Sequence, residues 1–429
     1  MLRRQQMINF SKTKTICLSL LTVFLASGAV LAQAASYIDS NNRFILDGKP
    51  FFPIGLYVAQ CPTKPGHFPQ LDEIAESPFD TLMNYCTHTC DSLDDATDEQ
   101  IDYYLDLLQE RSLKLIFSLR EYIGHGDQDI SAITHKVNTF KGHPAIIGWY
   151  MNDELPPEYL PQLEKRYKKV RELDENHPVW SVHWNTDWLL NESHTTDIVG
   201  VDSYPIPHNP ITFVSKMADS ANKAGKPLWL VPQIFDWSDY GRPGRPPTKD
   251  EMRAMTYLAV NHGAKGLIYY SYFNLLEDEF SPTPNAPQWE EIKDITSEIR
   301  DLRHVFLSTH KTDPNDVVCN NANIDVKLMR DGDRYYLFAV NTKKESINGV
   351  SFDIKGTKKP STFSVMFEKH REIVLNNAKF TDDFGPYQVH VYEAKSDGGV
   401  EDVSGGDDGN GDDDGGGCFL GTACTTGEW

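Results

Sequence analysis

Cationic side chains are in short supply in this sequence. Lys and Arg number 41 against 62 Asp and Glu, a formal net charge of −21 over 429 residues. A surface that acidic is repelled by phosphate backbones and anionic bilayers, so nucleic acid and anionic membrane surfaces are set aside as partners. The balance says little about a neutral glycan. No His-x-His pair occurs anywhere, so a metal-dependent hydrolase built on converging histidines lacks its signature, although His88 and His183 are available. Cysteine is scarce, with 7 in the chain, and Cys86-x3-Cys90 with His88 has no second ligand pair to complete a zinc site. No glycine-rich phosphate loop follows the first strand-like segment, which argues against an open dinucleotide-binding sheet. The run Asp408 to Asp412 has the flavour of a calcium loop, yet it lacks the bidentate Glu of a full one. No cofactor is expected.

The longest apolar run, Ile16 to Leu31, falls short of a membrane span. It follows Arg3, Arg4, Lys12 and Lys14 and ends at the small-x-small site Ala32-Gln33-Ala34, so residues 1–35 are expected to be a signal peptide. The mature chain is then exported to a secreted, periplasmic or cell-surface location, without a membrane span. In an oxidising compartment a disulfide among Cys61, Cys86 and Cys90 is expected, with the pairing open.

Within the body, eight apolar runs begin at Phe52, Phe79, Leu113, Ile146, Val179, Ile198, Leu228 and Gly266. Most are separated by amphipathic stretches such as 98–111, 161–174, 212–224 and 249–262, and Thr248 with Glu251 forms a capping box for the last. Strands alternating with helices imply a parallel sheet, and eight such units imply a closed (β/α)8 TIM barrel over residues 36–308. Phe44 to Pro50 reads as a hairpin turn leading into it. From about 309 to 395 the texture changes to short strands, 324–328, 335–340, 350–354, 363–367 and 387–392, expected to form a small antiparallel β-sandwich. Residues 396–429 are an acidic Gly/Asp-rich tail without enough apolar content to fold.

The most informative stretch is Ile146 to Pro157, an apolar strand that breaks into Asn152, Asp153 and Glu154 before two prolines. Adjacent carboxylates repel and resist desolvation, so a buried strand ends this way for a reason. Asp153 as a helix cap and Glu154 as a solvated first-turn acid is the plainer alternative. The other strands end in polar and aromatic residues that would converge in a barrel: Asn84 and Tyr85; Arg120 and Glu121; His183, Trp184 and Asn185; Asp202, Ser203 and Tyr204; Gln233, Asp236 and Trp237; Tyr270, Ser271, Tyr272 and Asn274. Acids and amides bind sugar hydroxyls while rings stack on pyranose faces, so a carbohydrate cleft is expected. Asn84, Asn152, Trp184, Tyr204, Gln233, Trp237 and Tyr272 are the candidate substrate-binding residues. Tyr150 and Tyr269 are expected to be ordinary barrel packing.

Together with Pro53 to Tyr57, Val201 to Pro205 and Gly263 to Tyr272, these motifs resemble the clan of glycoside hydrolases built on a (β/α)8 barrel with a C-terminal β-sandwich. The resemblance spans about 43 to 395. It implies a glycosidase acting on a poly- or oligosaccharide, with Glu154 at the end of the fourth strand as general acid/base and Asp153 in the place usually held by Asn. The clan's nucleophile is a Glu ending the seventh strand, and Gln233 stands there. Three alternatives follow. Another acid, Asp202, Asp236, Glu121 or Asp153 itself, serves as nucleophile or base, with Asp202 favoured. A 2-acetamido group of the substrate attacks, oriented by Asp153 and steadied by Tyr204 and Gln233. Or the protein binds carbohydrate at a surface without cleaving it.

Overall fold

The computed structural model describes residues 35–58, 60–85, 96–119, 127–355 and 360–395. Nearly all of the expected signal segment, Cys86, His88, Cys90, Arg120, Glu121 and the acidic tail lie outside the described residues.

Eight parallel strands close a barrel in chain order: β1 Ile54–Val58, β2 Thr81–Asn84, β3 Lys114–Ser118, β4 Ile146–Asp153, β5 Val179–His183, β6 Ile198–Ser203, β7 Leu228–Pro232 and β8 Ala264–Tyr269. Each expected apolar run holds one of them. The intervening helices are α1 Pro69–Ala75, α2 Asp98–Glu110, α3 Asp127–Phe140, α4 Leu160–Leu173, α5 Thr186–Glu192, α6 Phe213–Asn222, α7 Lys249–Asn261 and α8 Gln288–Phe306. The Thr248–Glu251 capping box is formed at the start of α7, and Thr97 with Gln100 makes another at α2. Each satisfies backbone N–H groups that the first turn leaves without a helical partner. Among the described residues no helix is long and apolar enough to cross a membrane.

Strand pleating sends alternate side chains inward or onto the helices. The inward set includes Tyr57, Met83, Ile116, Ile147, Tyr150, Trp180, Trp229 and Ile268, all buried. Gly200 makes room for this filling, since a Cβ there would sit 2.7 Å from Nε1 of Trp180. The N-terminal hairpin Phe44–Leu46/Lys49–Pro50, turning through Asp47 and Gly48 at φ 50° and 76°, plugs the amino end of the barrel by packing Phe44 on Trp229. The carboxyl end stays open.

The C-terminal sandwich has strands β9 Val317–Cys319, β10 Ile324–Asp331, β11 Arg334–Asn341, β12 Ile347–Ile354, β13 Thr362–Met366, β14 Arg371–Val374, β15 Lys379–Phe384 and β16 Val389–Lys395. They form a three-stranded sheet, β9-β12-β15, and a five-stranded one, β10-β11-β16-β13-β14, around a separate core that includes Phe352, Phe363, Phe380 and Tyr392. The outer face of β11 joins the barrel's core through Phe338, whose ring lies 6.0 Å from Tyr257 and 5.6 Å from Phe306. Three strands escape a reading by apolar runs. β9 is three residues long, β14 (Arg-Glu-Ile-Val) has no fully buried residue, and β15 (Lys-Phe-Thr-Asp-Asp-Phe) buries only its two Phe.

Candidate active site

Strand β4 does not keep a regular pleat to its end. Its pairing with β5 slips between Tyr150 and Asn152, so Met151 is an inserted residue. The bulge turns Tyr150 and Asp153 to the same side, and the Tyr150 hydroxyl donates to Asp153 Oδ1 at 2.7 Å. One residue later Glu154 adopts φ 58°, a left-handed conformation rarely used by residues other than Gly, Asn and Asp. Its N–H still donates to Val182 O at 2.9 Å. Bulge and reversal together turn two successive carboxylates into one cleft, which a straight strand would not do. The chain around them is held from behind. Buried Arg166 of α4 donates to Met151 O at 3.2 Å and to Leu119 O, beside an Asp129 ion pair at 3.4 Å. Asn152 Oδ1 accepts from Leu155 N–H at 3.1 Å, and its amide meets His183 and Glu192 at 2.8 and 3.0 Å.

Two strands around, β6 brings Asp202 to the same point. Asp202 is 8 % exposed, and its carboxyl lies within the electrostatic reach of Glu154, Asp153 and Tyr204. Burial first, then the Glu154 charge, then the Glu154 hydrogen bond push Asp202 well above the ordinary carboxylate range, with a further push from Asp153. Among the described residues, no N–H or hydroxyl reaches its buried Oδ1. Two buried carboxyls that interact this strongly cannot both ionise cheaply, so the pair holds a proton in common.

The cleft around these carboxyls encloses about 670 Å³, within the range of small-ligand sites. It is walled by Tyr85, Tyr204, Phe235, Trp237, Tyr240 and Tyr270, with Trp184, Asn209, Phe213 and Arg242 also lining it. Phe235 packs edge-on against Tyr204, Trp237, Tyr240 and Tyr270, at ring separations of 5.1 to 5.5 Å. The wall is therefore rigid. Trp184 is 54 % exposed, an unusual position for so large an apolar ring unless something stacks on it.

The sequence-derived candidates divide. Glu154, Asp153, Asp202, Trp184, Tyr204 and Trp237 line the cleft. Asn84, Asn152, Gln233 and Tyr272 are buried and are not among the cleft-lining residues. Asn84 donates to Gln60 O and to the Tyr104 hydroxyl, both at 3.0 Å. Gln233 donates to Ile206 O and Phe235 O at 2.8 and 3.1 Å and accepts from Ile206 N–H at 2.9 Å, so its amide is occupied by backbone. Tyr272 packs on Trp289 in the outer core. Asp236 caps the turn Trp237–Tyr240 by accepting from Ser238 N–H, and Asn185 caps α5. Tyr150 is buried as expected of packing, but its hydroxyl serves Asp153; Tyr269 is packing, with its hydroxyl on Thr256. Asn209 and Arg242 lie on loops after β6 and β7, Tyr240 ends the turn Trp237–Tyr240 and Phe213 opens α6, and none of them carried a strand-end signal. Cys61 is disulfide-bonded. Among the described residues no cluster of His, Cys, Asp or Glu is arranged to hold a metal ion.

The fold is a closed (β/α)8 barrel followed by a β-sandwich, with the carboxyls of Asp153, Glu154 and Asp202 at the barrel's carboxyl end. Solved structures with this fold include one described as a glycoside hydrolase, 13% identical, covering 85% of this chain and 97% of its own, at a TM-score of 0.61. A glycoside hydrolase family 5 protein from Bacteroides vulgatus is 12% identical over 84% of this chain and 93% of its own, TM-score 0.59. A β-galactosidase from Bacillus circulans sp. alkalophilus is 8% identical over 80% and 99%, TM-score 0.57. At such identities the likeness is one of fold. No protein-family model and no curated protein matches the chain.

Proposed function

We propose that this protein is an exported glycoside hydrolase that cleaves a poly- or oligosaccharide bound in the aromatic cleft, with Glu154 as the proton donor. The observation that carries this is the interacting Glu154–Asp202 carboxyl pair that lines one aromatic cleft with Asp153. Retaining glycosidases hold their two carboxyls about 5–5.5 Å apart and inverting ones about 6.5–9.5 Å. We read Asp202, which interacts directly with Glu154, as sharing the proton that Glu154 delivers rather than as the carboxylate across the scissile bond. When that proton passes to the glycosidic oxygen, the carboxylates left behind face an oxocarbenium-like charge that offsets their repulsion. Asp153, oriented by Tyr150, is then the carboxylate available to the anomeric centre, either directly or through water or a 2-acetamido oxygen. The disulfide at Cys61 supports an oxidising, extracytoplasmic location.

One observation favours a second reading, carbohydrate binding without cleavage. Gln233, at the end of β7, has its amide committed to backbone and offers no nucleophile. A screen for reducing-end release over a glycan panel, with Glu154→Gln beside the wild type, separates the two. Release by the wild type that the variant loses supports the hydrolase. Binding with no release from any glycan by either protein supports the binding reading.

A further inference from the structure

Among the described residues that line the cleft, one is a cation, and nothing in the proposed chemistry uses it. Arg242 lies on the loop after β7, exposed, with its guanidinium 4.8 Å from the centre of the Trp237 ring. Many other arginines of this acidic chain find carboxylates: Arg245, three residues on, makes two 2.7 Å bonds to Glu251, Arg253 meets Glu298, and Arg111 meets Asp72. Among the described residues no carboxylate pairs with Arg242. The Trp237 ring holds the guanidinium without consuming its N–H donors, because a cation–π contact uses the ring's quadrupole and not a hydrogen bond. Trp237 is itself wedged against Phe235 and Tyr204, at 5.1 and 6.3 Å. The result is a pre-oriented fork of free donors on a rigid wall. Such a fork matches a planar or tetrahedral oxyanion bidentately.

Resting on the proposed carbohydrate function, we infer that the substrate is an acidic glycan, and that Arg242 on its Trp237 platform seats an anionic substituent, the carboxylate of a uronic acid or a sulfate ester, away from the Glu154–Asp202 pair. An acidic polymer is otherwise repelled by a chain of charge −21, so a dedicated cation in the cleft decides which anionic sugars can enter.

Equilibrium binding by the full chain carrying Glu154→Gln, which leaves ligands uncut, tests this with oligogalacturonides, sulfated galactan oligosaccharides and neutral cello- and manno-oligosaccharides of equal length. The expected result is tighter, salt-sensitive binding of one acidic set over the neutral ones. Adding Arg242→Gln should lower that acidic-to-neutral affinity ratio by about tenfold, as for a lost charge-assisted contact, and Arg242→Lys should keep part of it. Which acidic set responds distinguishes carboxylate from sulfate. A ratio indifferent to Arg242→Gln, or neutral chains bound as well as acidic ones, overturns the subsite. Hydrolysis by the wild type is scored separately: an Arg242-dependent preference without hydrolysis overturns the enzyme reading and keeps the subsite, whereas hydrolysis of neutral chains alone does the reverse. Absence of binding to every set overturns both.

Discussion

The Tyr150 hydroxyl hydrogen-bonds Asp153 Oδ1 at 2.7 Å, three residues along one strand. On a regular pleat residues i and i+3 face opposite sides, so this bond exists only because the strand bulges between them. The same irregularity, followed by the left-handed Glu154, assembles the carboxyl cluster. Backbone in such conformations costs on the order of 1–3 kcal/mol per residue and persists where surrounding contacts over-determine it.

Glu154→Gln keeps the size and hydrogen bonding of the side chain and removes its proton. Turnover on the best glycan should fall by about two to four orders of magnitude, the range of a lost general acid, with the circular dichroism spectrum unchanged. Near-normal turnover would rule Glu154 out as donor.

Asp202→Asn tests the shared proton through stability. Burial and the Glu154 charge raise Asp202 in the folded protein, so above the unfolded value, about pH 4, the native state binds a proton that the unfolded chain has released. Stability from this group is therefore lost as pH rises from about 4 toward the raised folded value. The asparagine variant escapes that loss. Its melting temperature should exceed that of the wild type increasingly between about pH 4 and 7, while hydrolysis drops. A difference between the two proteins that does not grow with pH would mean Asp202 is ionised in the folded protein.

Arg166→Leu removes the guanidinium that holds Met151 O and leaves Asp129 buried beside an apolar group. Breaking one side of a buried pair costs about 3–5 kcal/mol. Adding Asp129→Leu should recover much of the melting temperature but little activity, because the bulged end of β4 still lacks its support. Recovery of full activity in the double variant would show that Arg166 serves stability alone.

His262 ties the barrel to the sandwich, bonding Asp219 of α6 at 2.7 Å and Asp325 of β10 at 2.8 Å. Burial works against its charge, but the hydrogen bonds and charges of Asp325 and Asp219 prevail and push it up to about 9. A raised folded value contributes stability that is fully present below the unfolded value, about 6.5, and is lost as pH rises through about 9. His262→Gln should therefore lower the melting temperature more at pH 6 than at pH 10. Equal losses at both would show that the histidine is not charged in the fold.

The sequence by itself determined the barrel strands, because each apolar run must be buried on both faces, and it determined the capped starts of α2 and α7, where Thr97 and Thr248 act on their own neighbours. It also marked Asp153 and Glu154, since two carboxylates at a buried strand's end conflict with local physics. Only the tertiary structure decided which polar residues reach the cleft. Gln233, Asn84 and Asn152 carry the same amide groups a sugar site would use, and sequence has no means of telling an amide facing a ligand from one spent on backbone or a buried neighbour. The Glu154–Asp202 contact depends on barrel closure bringing β4 and β6 within reach, and on a one-residue bulge that no composition announces. Tyr240 and Arg242 come from a loop whose path is set by packing on Phe235 and Trp237, so their place in the wall follows from contacts rather than from periodicity.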